Sequence, residues 1–264
     1  MMSSPSGDHV PPKLLPPGNF ALRLSASADF EFRPVWSPSG EEIVFASNHP
    51  GDYDIFLRRA DASDEPNLLV GEEARDVACD WSVDGKYILY RRQQLEGGGD
   101  LWYLERGEDG TQWTPRPFLE TPDADDRRAK FSPNGRFVAY ESDASGKVEI
   151  YVRSFPDGEM QGRISTEGGI APRWRADGRE LFYVEGDALV AAPVSTEGEF
   201  FSGTPRRLFR SAGPAMSPGG REYPYAVSRD GKRFVVSEQV GQAPEPKIHV
   251  VLNWYEEFRD RQPK

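Results

Sequence analysis

The chain offers 43 carboxylates, 32 Lys and Arg side chains, three histidines and one cysteine for chemistry. Their spacing excludes most reaction centres. There is no G-x-S-x-G, so no serine sits on a nucleophile elbow. There is no G-x-x-x-x-G-K-[ST] phosphate loop and no H-E-x-x-H zinc helix. His9, His49 and His249 stand alone, with no second histidine or cysteine at ligand spacing. Cys79 reads as a small buried side chain, and a lone thiol builds no disulfide framework. No metal and no cofactor is therefore expected. Asp54, Asp100 and Glu149 recur, each opening an apolar segment after a turn. A short acid in that place most often bonds local backbone N–H groups rather than a metal.

One set of charges recurs in register. Arg33, Asp80, Arg128, Lys130 and Arg173 lie one or three residues before Trp36, Trp81, Phe131 or Trp174. In a regular strand those two positions share a face, and the position between them shares the face of the aromatic. The intermediate set is Pro34, Cys79, Ala129, Pro172 and Tyr225. It is mostly small or apolar, so it is expected to pack between sheets together with the aromatics. The charged set then faces away. Four cations and one anion in equivalent places would suit an anionic ligand, because guanidinium groups fork carboxylate and phosphate. The plainer reading is a solvated lining with internal ion pairs, such as Asp80 with Arg128. Glycoside hydrolysis would need two facing carboxyl groups, and Asp80 is the only acid in the set.

These positions belong to an internal repeat. The segments WSPSG, WSVDG, FSPNG, WRADG and VSRDG begin at residues 36, 81, 131, 174 and 227, giving separations of 45, 50, 43 and 53. Periods of this size are typical of propeller blades. Each segment suits a type I turn closed by a glycine. Gly40, Gly85, Gly135, Gly178 and Gly231 are expected at positive φ. Apolar runs such as Tyr87-Ile88-Leu89-Tyr90 and Phe137-Val138-Ala139-Tyr140 follow as second strands. Third strands open at the recurrent acids. Fourth strands are expected at Asn67–Val70, Arg116–Leu119, Gln161–Ser165 and Arg206–Phe209. The fifth repeat lacks one. Phe20–Ser25 resembles an orphan fourth strand that could complete the fifth repeat beside Ile248–Leu252. Such pairing hides sheet edges.

The expected fold is all-β: a β-propeller of five four-stranded blades, closed by pairing of its first and last strands. Residues 1–18 read as a disordered leader, 19–254 as the propeller, and 255–264 as a tail with a possible short helix. The net charge of −11 argues against nucleic acid, and no apolar run reaches the length of a membrane span. The first 17 residues lack the apolar core of a secretory signal, which points to the cytoplasm.

The aromatic–Ser–x–x–Gly turn, the apolar strand after it and the Asp54-Ile55-Phe56 type of third strand resemble the repeat of TolB-type β-propellers. The resemblance covers about Phe20 to Trp254. The ending KIHVVLNWYEEF is similar to the carboxyl end of propellers behind bacterial serine/threonine kinase domains. The fourth and fifth repeats depart from the pattern, with Arg175 in place of Ser and Val227 in place of an aromatic. The resemblance implies a non-enzymatic, monomeric bacterial module that binds a protein or peptide at the channel mouth, with an extracytoplasmic location. Two alternatives stay open. One is a glycan-acting hydrolase on a five-bladed propeller. The other is the detached sensor domain of a kinase-type signalling protein.

Overall fold

A computed structural model describes residues 30–48, 53–71, 74–94, 97–210, 225–238 and 247–251. The expected leader, the Phe20–Ser25 strand and the tail lie outside the described residues. Within them, twenty strands form five antiparallel sheets. Blade 1 is β1 (Glu31–Trp36), β2 (Glu42–Ser47), β3 (Asp54–Arg59) and β4 (Asn67–Val70). Blade 2 is β5 (Arg75–Trp81), β6 (Tyr87–Gln93), β7 (Gly99–Arg106) and β8 (Trp113–Leu119). Blade 3 is β9 (Arg127–Phe131), β10 (Phe137–Ser142), β11 (Glu149–Ser154) and β12 (Gln161–Arg163). Blade 4 is β13 (Ile170–Trp174), β14 (Glu180–Glu185), β15 (Ala188–Ser195), the short β16 (Phe201–Ser202) and β17 (Arg206–Arg210). Blade 5 shows three strands, β18 (Tyr225–Val227), β19 (Phe234–Glu238) and β20 (Lys247–Val251). Strands β1, β5, β9 and β13 neighbour one another in succession, so the first strand is innermost in blades 1 to 4.

The repeated turn explains the blade's inner hairpin. In blade 2 the Gly85 N–H bonds the Ser82 carbonyl at 2.9 Å, and the Ser82 N–H bonds the Tyr87 carbonyl at 2.8 Å. The Ser82 hydroxyl accepts the Tyr87 N–H at 2.9 Å and donates to Asp84 at 2.6 Å. Asp84 in turn accepts the Lys86 N–H at 3.1 Å. One serine and one acid thus satisfy the donors that the turn leaves open. Gly85 has φ 76°, and the four equivalent glycines have 75°, 70°, 71° and 71°. A Cβ there would be strained. Blade 4 replaces the serine with Arg175, which bonds Glu180 at 3.1 Å instead.

Four apolar clusters fill the blade junctions in order. Val44 and Ile55 meet Trp81, Ile88 and Tyr90 between blades 1 and 2. Leu89 and Tyr103 meet Phe131, Val138 and Tyr140 between blades 2 and 3. There Phe155 lies 5.0 Å from each of the rings of Tyr87, Tyr103 and Phe131. Phe137 and Ala139 meet Leu181 and Tyr183 between blades 3 and 4. Phe182 and Leu189 meet Tyr225 and Phe234 between blades 4 and 5. The expected burial of Trp36 between blades is not found, since that indole is mostly exposed.

The inner strands are not regular. β1, β9 and β13 skip register against their partners between the fourth and first residues before the aromatic, and β5 between the third and first. Arg33, Arg128 and Ala171 hold equivalent places there with φ 52°, 51° and 57°. A bulge of this kind inserts an extra residue and breaks strict alternation. The expectation that positions one and three before the aromatic share a face therefore fails. Cys79 is the extra residue in β5. It packs with the Phe131 cluster, while Trp81 packs with the Tyr90 cluster, so the two do not share a face as expected.

Candidate functional site

Two places draw polar side chains together: the inner strands around the axis, and a cleft on the face of the repeated turns.

At the axis, the bulge sends the predicted charges to internal partners. Arg128 is buried and donates to both oxygens of Glu141 at 2.8 and 3.1 Å. Glu141 is itself fully buried, and it also takes Arg127 at 2.8 Å and the Ala171 N–H at 2.6 Å. This ties blade 3 to blade 4. Asp80 pairs with Lys130 at 3.0 Å and accepts the Phe131 N–H at 2.9 Å. Lys130 also reaches the Cys79 carbonyl. The sequence suggested Asp80 with Arg128; the pairs formed are Asp80–Lys130 and Glu141–Arg128. The cause is the αL bulge, which turns Arg128 away from the face that carries Lys130. Arg33 and Arg173 are half-buried in β1 and β13. The axis therefore brings together Asp80 and Lys130, but it does not present five open charges.

A second set lies in blade 2 and at its junction with blade 3. Arg92 forks Asp76 at 3.0 and 3.1 Å, both side chains being buried. Asp125 takes Arg91 at 2.6 Å and the Gly99 N–H at 3.1 Å. Asp126 is fully buried beside it. Burial pushes its carboxyl up to about 6, against the opposing hydroxyls of Ser142 and Thr121, and the carboxylates of Asp100 and Asp125 add to the rise. Of the recurrent acids, Glu149 accepts the Gly168 N–H at 3.1 Å and the Ser165 hydroxyl, partners beyond the fourth strand of its blade rather than the local backbone groups expected. Among the described residues no group of three or more His, Cys, Asp or Glu side chains is placed to hold a metal ion.

The cleft has a volume of about 780 Å³ and lies between blades 1 and 2. Its walls are the Ser37-Pro38-Ser39 turn, the Val83–Tyr87 turn and the Gly107–Gly110 loop. Across it Arg106 forks Glu42 at 3.1 and 3.2 Å and donates to the Gly110 carbonyl at 2.8 Å. The same guanidinium stacks 5.2 Å from the centre of the Trp113 ring. Trp81 stands edge-on to Trp113, and its indole N–H bonds the Gly85 carbonyl at 3.2 Å. Val83 is 61% exposed at the rim, beside exposed Pro38, Lys86 and Glu108. Burial and then the Glu105 charge raise the Tyr87 phenol, which therefore stays neutral. The Ser37 and Ser39 hydroxyls bond each other at 3.2 Å, with no histidine in the lining. The arrangement offers apolar contact, a fixed ion pair and turn carbonyls, which suit binding. The sequence reading missed this cleft. Its one signal was Val83, an apolar side chain at the corner of a solvent-facing turn.

No protein-family model matches the chain. An uncharacterized protein of Agrobacterium fabrum is 25% identical over 170 residues, which cover 56% of this chain and 53% of that one. TolB from Acinetobacter baumannii superimposes with a TM-score of 0.64 at 17% identity, covering 87% of this chain and 53% of that one. A structure assigned as TolB from Agrobacterium tumefaciens gives 0.62 at 17% identity, covering 88% and 80%. A puromycin-hydrolyzing peptidase of Mycobacterium tuberculosis gives 0.59 at 16% identity, covering 85% and 36%. The chain thus spans about half the length of the curated relative and of the first of these structures. At these identities the likeness is one of fold. Among the described residues no helix is long and apolar enough to cross a membrane.

Proposed function

We propose that the chain, a TolB-type β-propeller in fold, is a non-catalytic module that binds an extended peptide segment of a protein partner. The observation that carries this reading is the cleft of about 780 Å³ between blades 1 and 2, with Val83 61% exposed on its rim. Such a volume falls in the range of ordinary ligand sites. A partner side chain covering Val83 and Pro38 gains apolar burial, and the Glu42–Arg106 pair is already fixed, so little ordering cost remains. Outside that pair Glu105 is held by Arg116 at 2.5 Å, and Asp84 and Glu108 outweigh Lys86 in the lining. This favours a segment carrying a basic residue.

The axial anion site has less support, because Arg128 and Lys130 are engaged by Glu141 and Asp80. Glycan hydrolysis has less still, since Asp80 bonds Lys130 and the Phe131 backbone. By its likeness in fold to TolB, the compartment proposed is extracytoplasmic, and cell fractionation tests it.

The binding reading is tested with peptides selected from a display library on the intact chain and titrated by fluorescence anisotropy. Val83→Asp should weaken a selected peptide at least tenfold, and Arg173→Glu should leave it within twofold. The reverse pattern would move the site to the axis and overturn the cleft.

A further inference from the structure

The seam between blades 1 and 2 departs from the repeat. Two backbone bonds mark equivalent places in the blades. The N–H groups of Ser37, Ser82 and Ser132 bond the carbonyls of Glu42, Tyr87 and Phe137. The carbonyls just before those residues, at Glu41, Lys86 and Arg136, take the N–H groups of Ala60, Arg106 and Phe155. In blade 4 the Val194 N–H bonds the Arg179 carbonyl in the same way. Glu42, Tyr87 and Phe137 therefore share one position, and Arg106, Phe155 and Val194 share another. At a seam, the first position of one blade faces the second position of the next.

Between blades 2 and 3 that meeting is apolar. The Tyr87 ring stands edge-on to Phe155 at 5.0 Å, and Phe155 is buried. Between blades 3 and 4, Phe137 and Val194 are buried in one cluster, and Phe200 lies 5.3 Å from the Phe137 ring. Between blades 1 and 2 the same two positions hold Glu42 and Arg106. Their side chains pair at 3.1 Å and stay 22% and 29% exposed. An ion pair thus stands where the next two seams carry an apolar plug, and both of its residues line the cleft. A partly exposed pair adds less to stability than packed rings, so this seam forgoes burial that its neighbours keep.

We propose that Glu42 and Arg106 are the recognition pair of the cleft, and that Glu42 receives a lysine or arginine side chain of the bound segment. This rests on the peptide-binding reading and names the group that the cleft selects. A carboxylate offers about four acceptor sites, and Arg106 takes two of those on Glu42. Arg106 is itself held by the Gly110 carbonyl and the Trp113 ring, so the carboxylate is presented in a fixed place. Asp84 is engaged by its own turn and Glu105 by Arg116. Glu108 is exposed in the same lining and has no ion pair among the described residues. Against Glu42 and Glu108 stand Arg106, already neutralised, and Lys86. A cation entering here gains a second bond to Glu42 and the field of Glu108. The apolar stem of lysine or arginine suits the rim at Val83.

A peptide selected on the intact chain should carry a lysine or arginine. Replacing that residue by glutamine should weaken binding to the parent at least tenfold, read by fluorescence anisotropy. On the chain carrying Glu42→Gln and Glu108→Gln the same replacement should cost less than threefold, which measures the coupling of the groups. Glu42→Tyr with Arg106→Phe copies the plug of the next seam. That chain should melt no lower than the parent and bind the peptide at least tenfold more weakly. A selected peptide without a basic residue, or equal losses on both proteins, would overturn the assignment. So would a plugged chain that still binds, or one that melts lower, since the pair would then be the cement of the seam. Val83→Asp separates the two readings. A peptide weakened by Val83→Asp but with equal losses in the charge comparison would leave the cleft standing without this pair. A peptide indifferent to all of these substitutions would overturn both.

Discussion

Asp126 carries a carboxyl that the fold would hold more easily as the neutral acid. It is fully buried at the junction of blades 2 and 3, and burial raises it from 3.8 to about 6. The difference of about 2.2 units corresponds to about 3 kcal/mol at 1.36 kcal/mol per unit. The folded value lies above the unfolded one. Between pH 4 and 6 the folded chain therefore keeps a proton that the unfolded chain has released. Stability from this group falls as pH rises through that window and is lowest above it. Asp126→Asn removes the charge from a carboxyl whose two buried oxygens have no hydrogen-bond partner to lose. At pH 7.5 the variant should be more stable than the parent by up to about 3 kcal/mol. By about pH 4 the gain should vanish, because the parent is then protonated. Urea titrations of both proteins at pH 7.5 and pH 4 measure this directly, provided the slopes match. A variant that is less stable at pH 7.5, or a difference independent of pH, would show that the Asp126 charge is well compensated and would refute the reasoning.

Glu141→Gln should destabilise the chain by about 3–5 kcal/mol, because Arg128 would keep a buried charge without its counter-ion; a loss under about 1 kcal/mol in urea would contradict this. Gly135→Ala places a Cβ at φ 70° with nothing within 4 Å, so backbone strain alone should cost about 1–2 kcal/mol. An unchanged melting temperature would remove that account of the repeated glycine. Ser132→Ala deletes an acceptor for the Phe137 N–H and a donor to Asn134, which lie at 3.0 and 2.8 Å. The loss should be about 1–2 kcal/mol by denaturant titration, and a neutral result would show that the turn is held by its backbone bonds alone.

The turns were legible because their chemistry is local. Ser82, Asp84 and Gly85 each do a job that residue type alone specifies. Strand order followed from the spacing of those turns. The inner strands were not legible, since nothing in the types of Arg33, Arg128 or Ala171 announces a left-handed backbone. Without the bulge, strict alternation misplaced Arg128 and mispaired Asp80. Three fourth strands also differ from their expected bounds, β17 only by ending at Arg210 rather than Phe209. β8 starts at Trp113 rather than Arg116, and β12 ends at Arg163 rather than Ser165. The Ser165 hydroxyl bonds Ile150 and Glu149 instead of continuing the ladder. The cleft was invisible because its walls come from separate blades, and only folding brings Glu42 to Arg106.

The central claim is that this propeller binds a peptide in the cleft and does not cleave it. One measurement addresses both parts: hydrogen exchange of the chain with and without a display-selected peptide, followed by mass analysis of the recovered peptide. The account predicts added protection confined to residues 37–39, 83–87 and 105–110, with the peptide recovered intact. Protection along β5, β9 and β13 without change in those turns, or a peptide recovered in pieces, would contradict it.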